Sequence, residues 1–154
     1  MAELKEGDKA PNFKGVSQDG KEIKLADFKG EKLVLYFYPK DNTGGCNAEA
    51  CNLRDNNAEF TNLGYKILGV SPDDEKKHQK FIEKFDLPFD LIADTEKEIL
   101  TTYGVWGEKK MYGKTFMGVK RTTFLIDENG KIEKIFKKVK TKEHSEQIFK
   151  EIKL

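Results

Sequence analysis

Three features of the 154-residue sequence predict an α/β fold: a mixed central sheet covered by helices on both faces and preceded by a β-hairpin. Residues 32–38, KLVLYFY, form a near-continuous apolar run that stops at Pro39. A strand without polar alternation is usually buried on both faces. Residues 45–63 carry Ala48 and Cys51, and again Phe60 and Leu63, each pair three residues apart with polar residues between, which reads as an amphipathic helix. Residues 65–70, YKILGV, follow as a second apolar strand. Strand, helix and strand in this order make a parallel pair with a right-handed crossover.

The remaining elements fall in order around this unit. Short extended runs at 13–16 and 22–25 flank Gln18-Asp19-Gly20, a hairpin signal. Gly64 closes the first helix. Ser71-Pro72-Asp73-Asp74-Glu75 supplies a cap and early acidic residues for a second helix running to about residue 85, with Phe81, Ile82 and Phe85 on its inner face. Asp73, Asp74 and Glu75 are read as this helix-start cluster and not as a metal or catalytic set. A strand is expected at 89–92, a short helix at 96–103, and a strand at 122–127. A turn at Glu128-Asn129-Gly130, a partner strand at 131–139 and a terminal helix at 141–152 complete the chain. The order β-β-β-α-β-α-β-α-β-β-α is that of an α/β sandwich. No repeat, low-complexity run or linker divides the sequence, so one domain is expected over residues 1–154.

Composition narrows the function. Charged residues make up 36% of the chain, yet 28 basic and 27 acidic residues leave a net charge of only +1. Such a balance provides no field for nucleic acid or an anionic membrane. The N-terminal residues MAELKE lack the apolar core of a secretory signal, and the longest apolar run is too short to span a bilayer. A soluble, cytoplasmic protein is expected. Two cysteines, Cys46 and Cys51, are too few for a disulfide scaffold, and a reducing cytosol would hold a purely structural pair open. The pair is inert, metal-binding or redox-active.

Cys46 falls at the beginning of the first predicted helix, just beyond the carboxyl end of a central strand, where open α/β sheets gather their sites. A helix N-terminus offers free N–H groups and partial positive charge, which favour a thiolate. Thr43, three residues earlier, can bring a hydroxyl near whatever the sulfur attacks. On the residue alone, an inert small buried cysteine explains the position equally well. The 28 basic residues include only two arginines, Arg54 and Arg121. Where lysine is the default cation, an arginine marks a place that uses a planar, permanent charge. Arg121 is the candidate; Arg54 reads as part of a solvated helix face.

Pro39, Thr43 and Cys46 match the Pro-x-x-x-Thr-x-x-Cys motif of peroxiredoxins. YPKDNT at 38–43, followed by Cys46-x-x-Glu49-Ala50-Cys51, resembles the bacterioferritin-comigratory, or peroxiredoxin Q, subfamily. GDKAPNF at 7–13, GVSPD at 69–73 and RTTFLID at 121–127 extend the resemblance over nearly the whole chain. It implies a thioredoxin-like fold with an N-terminal extension and a thiol-dependent peroxidase that needs no cofactor. Its substrates would be hydrogen peroxide and organic hydroperoxides, and thioredoxin or a glutaredoxin-type protein would recycle it. Relatives of this kind are commonly monomers.

By the same resemblance, Cys46 is the peroxidatic cysteine that becomes a sulfenic acid. Thr43 bonds the peroxide, Pro39 shields the site, and Arg121 stabilises the thiolate and the leaving oxygen. Backbone N–H groups near Gly45 and Cys46 complete the substrate pocket. Cys51 occupies the position of the resolving cysteine. In an intact helix, residues five apart stand roughly 8–9 Å apart and point about 140° away from each other. A disulfide needs Cα atoms within about 7 Å, so resolution by Cys51 requires the helix to unwind. The sequence departs from the subfamily at Gly44, where proline is usual, and at Asn47, where threonine is usual.

Other readings are weaker. A zinc site built from both cysteines with His78 and His144 lacks a closely spaced histidine pair, and both histidines are expected on polar faces of surface helices. A thioredoxin-type dithiol would need Cys-x-x-Cys. A non-catalytic thioredoxin-like binding or chaperone module remains the alternative from another class.

Overall fold

The central sheet has strand order β5-β4-β3-β8-β9 in the computed structural model, which describes residues 3–152. The outermost residues of the domain expected over 1–154 lie outside the described residues. β3 (Lys32–Phe37) pairs in parallel with β4 (Tyr65–Ser71), and β4 in parallel with β5 (Asp90–Ala93). β8 (Thr122–Ile126) runs antiparallel to β3, and β9 (Ile132–Phe136) antiparallel to β8. The sheet is therefore mixed, as expected. β1 (Lys14–Val16) and β2 (Glu22–Lys24) form the N-terminal hairpin.

The apolar run of β3 explains its central place. Leu33, Leu35 and Phe37 enter one core cluster, while Val34, Tyr36 and Tyr38 enter the other on the opposite face. The second cluster is completed by α1 (Gly44–Asp55), α2 (Asn57–Asn62), α3 (Glu75–Phe85) and α5 (His144–Ile152). The first is completed by α4 (Glu98–Thr102), the N-terminal segment and Val105 and Val119. Helices thus cover both faces. Among the described residues, no helix is long and apolar enough to cross a membrane.

Two elements differ from expectation. The helix predicted over 45–63 is broken at Asn56, whose backbone leaves the helical region at φ −109° and ψ 9°. Its amide donates to the Asn52 carbonyl at 2.9 Å, a side-chain bond that competes with the helical ladder. A hairpin of β6 (Trp106–Met111) and β7 (Lys114–Val119) occupies a stretch to which the sequence assigned nothing. Its strands are largely exposed, so no apolar alternation marks them. The turn instead rests on Tyr112 and Gly113, both at positive φ, as a two-residue hairpin requires.

Candidate active site

The site assembles at the carboxyl end of β3. Phe37, the last residue of β3, pairs with Thr122, the first of β8, so Arg121 is delivered beside the loop that leaves β3. That loop contains half-buried Pro39 and leads to α1, whose N-cap is Thr43 and whose third residue is Cys46. The Arg121 Nη2 donates to Cys46 Sγ at 3.3 Å. Its Nη1 donates to Glu49 Oε1 at 2.7 Å. One guanidinium fork thus holds the sulfur and a carboxylate from the next turn of the same helix, a geometry that lysine could not reproduce.

Gly45 makes room for this fork, since a Cβ there would lie 3.2 Å from Arg121 Nη2. Cys46 itself is 1% exposed, and Gly44 and Gly45 beside it are exposed. The Thr43 hydroxyl donates to the Lys40 carbonyl at 3.0 Å, closing the loop on itself, and makes no cap bond to α1. Asn47, which replaces the usual threonine, reaches Asn42 Oδ1 through its amide at 3.5 Å. Cys46 and Cys51 are both free thiols on one intact helix, and Cys51 is half-buried.

Residues that the sequence reading left without a role complete the surroundings. Glu49 is fully buried, and Oε2 lies 3.7 Å from His144 Nε2 with no hydrogen-bond partner among the described residues. Burial pushes its carboxyl up to about 7 against the pull of Arg121. His144 bonds Thr123 Oγ1 through Nε2 at 2.8 Å and Gln147 Oε1 through Nδ1 at 2.9 Å. Burial lowers its pKa to about 4. Burial also opposes the charge on Arg121, but Glu49 and the Cys46 sulfur more than offset it and raise its pKa.

Both histidines correct the sequence reading: each is completely buried, not on a polar helix face. The spacing held the signal. His78 lies three and four residues before Phe81 and Ile82 on the apolar stripe of α3, and His144 four before Ile148 on that of α5. His78 Nδ1 meets Asp41 Oδ2 at 2.6 Å and Nε2 meets the Ile92 carbonyl at 2.9 Å. Asp73 likewise leaves the expected surface cluster. Only Asp74 caps α3, accepting from Lys77 N at 2.9 Å, while Asp73 accepts from Asp41 N at 2.5 Å. Arg54 is partly withdrawn from solvent, its Nη1 donating to the Phe85 carbonyl at 2.7 Å.

Known proteins resemble the chain in sequence and in fold. The sequence profile of the AhpC/TSA family matches residues 6–135. The chain is 46% identical over 147 residues to peroxiredoxin Bcp of Bacillus subtilis, covering 96% of this chain and 94% of the relative. A cysteine-to-serine mutant of Xylella fastidiosa PrxQ superposes with a TM-score of 0.92 at 30% identity, over 99% of this chain and 98% of that one. The bacterioferritin comigratory protein of Xanthomonas campestris, whose structures concern alkyl peroxide reduction, superposes with a TM-score of 0.85 at 35% identity, over 92% and 90%.

Proposed function

The chain belongs to the AhpC/TSA family as a peroxiredoxin, and from that premise we propose that its thiol peroxidase chemistry starts at Cys46 and is resolved by Cys51. The observation that supports this most directly is the Arg121 Nη2 bond to Cys46 Sγ at 3.3 Å. A permanent cation donating to sulfur is the interaction a thiolate accepts.

In the proposed cycle, the thiolate of Cys46 attacks the terminal oxygen of ROOH. An S–O bond forms, the O–O bond breaks, and the departing RO⁻ takes up a proton to leave as ROH. Arg121 stabilises the charge developing on that oxygen, with the N–H groups of Gly45 and Cys46 as further donors in the proposed pocket. Thr43 positions the peroxide, and Pro39 limits water. The Cys51 thiolate then attacks the sulfenic sulfur, forming the S–S bond and releasing hydroxide, which is protonated to water. A reduced dithiol protein of the thioredoxin or glutaredoxin type returns two electrons and two protons. Hydrogen peroxide and organic hydroperoxides are the proposed substrates. The proposed setting is a monomer in the cytoplasm, a compartment that keeps both thiols reduced.

Peroxide consumption coupled to a thioredoxin system tests the cycle. Cys46→Ser is expected to abolish turnover. Cys51→Ser is expected to leave one oxidation of Cys46, seen as a dimedone adduct, without recycling through an internal disulfide. Undiminished consumption by Cys46→Ser would refute the assignment.

A further inference from the structure

We infer that Asp41 and Asn52 are the two fixed ends of the segment that unwinds when Cys46 joins Cys51, with His78 and Asn52 acting as positioning residues for the disulfide step. The inference deepens the proposed resolution by Cys51 and rests on it. Asp41 is tied into the body of the protein at three points. Its N–H donates to Asp73 Oδ2 at 2.5 Å, Oδ1 accepts from the Tyr38 hydroxyl at 2.6 Å, and Oδ2 meets His78 Nδ1 at 2.6 Å. His78 in turn bonds the Ile92 carbonyl beside it, so the loop is fastened to α3 and β5 through a network shielded from water. Hydrogen bonds of this kind are strengthened by burial and are costly to open.

The next residue, Asn42, behaves differently. It sits at φ 57°, is exposed, and is held by surface bonds from Lys84 Nζ and the Asn47 amide. Gly44 and Gly45 follow, also exposed. Within the segment Arg121 holds Cys46 and Glu49, a hold that breaks when the sulfur leaves, and ties independent of the sulfur resume directly after Cys51. Asn52 Oδ1 accepts from Ser145 N at 2.6 Å, its carbonyl accepts from Ser145 Oγ at 3.1 Å, and its amide donates to the Lys142 carbonyl at 3.0 Å. Ser145 is fully buried in the first turn of α5, so Asn52 satisfies one of the N–H groups that a helix start leaves unpaired. Leu53, completely buried, and Arg54, bonded to the end of α3, continue the attachment.

Cys51, one residue from the fixed Asn52, therefore stays near its place while Cys46 travels to it.

Hydrogen exchange read by mass spectrometry, on the full chain before and after one equivalent of hydrogen peroxide, tests these limits. Oxidised parent protein is expected to lose protection over 47–55, whose helical N–H groups donate to the carbonyls of 43–51, and to keep it at Asn56, whose N–H donates to the Leu53 carbonyl. In Asn52→Ala the loss extends to Asn56, and in His78→Gln it extends back to 38–41. The rate at which Cys46 of Asn52→Ala consumes peroxide stays within two-fold of the parent. Ser145→Ala, missing only the hydroxyl bond, also shifts the limit and serves if Asn52→Ala does not fold. Oxidised Asn52→Ala or Ser145→Ala with parental protection at Asn56 overturns the inference. A disulfide-bonded parent already unprotected at Asn56 overturns it as well, but leaves resolution by Cys51 standing. A parent that forms no Cys46–Cys51 bond removes both.

Discussion

Glu49 and His144 face each other across a gap between α1 and α5, and their burial shifts them in opposite directions. Unfolded Glu49 ionises near 4.5 but the folded carboxyl keeps its proton to about 7, so over that interval stability falls as pH rises. Unfolded His144 binds a proton below 6.5 but the folded ring does so only below about 4, so there stability rises with pH. Each shift corresponds to about 3 kcal/mol, and between roughly pH 4.5 and 6.5 the two slopes cancel. Glu49→Gln should therefore gain stability relative to the parent, by about 3 kcal/mol between pH 4.5 and 7. Urea unfolding of both proteins across that range measures the difference. A constant difference would mean that the carboxyl ionises as freely in the folded protein as in the unfolded one. None of this was legible in the sequence. Glu49 stood in a recognised motif without a role, and His144 was placed in solvent, because a polar residue announces burial only through the partners that a distant strand supplies.

At the scale of the element, α1 begins with glycine at the position where the sequence departs from the subfamily it resembles. Gly44 is its first residue, and the preceding Thr43 has φ −115° and ψ 156°, the extended conformation favoured before proline. Nothing lies within 4 Å of a Cβ at Gly44. The first N–H of a helix has no intrahelical partner, so proline forfeits no helical bond there. Gly44→Pro is expected to stabilise the reduced protein by about 0.4–1 kcal/mol by restricting the unfolded chain. The same restriction opposes unwinding, so the variant should form the disulfide more slowly and accumulate more Cys46 sulfinic acid per peroxide consumed. Denaturation midpoints and intact mass after peroxide report the two effects, and an unchanged midpoint would contradict the first. The glycine was visible in the sequence as a departure. What it meets, which is open space, was not.

For the molecule as a whole, β3 is the common wall of both cores. Leu33, Leu35 and Phe37 face one side and Val34, Tyr36 and Tyr38 the other, all essentially inaccessible to water. A strand shared in this way couples the two clusters into one unfolding unit. Leu35→Ala should cost about 2–5 kcal/mol, the usual range for a fully buried leucine. Trp106 fluorescence, which reports the β6–β7 hairpin, and far-UV circular dichroism should still show coincident transitions. Separate transitions would show that the hairpin and its neighbours melt independently of the sheet.

By itself, the sequence determined the alternation of strands and helices, the buried run of β3 and the placing of Cys46 at a helix start. These depend on spacing within a few residues, which the chain carries wherever it folds. Only the tertiary structure decided what meets the sulfur. Arg121 lies 75 residues from Cys46 and reaches it because Phe37 pairs with Thr122 in the antiparallel register of β3 and β8. The burial of Glu49, His78 and His144, and the ties of Asp41 and Asn52, arise in the same way. Each needs two distant segments to be packed together before either side chain has a partner.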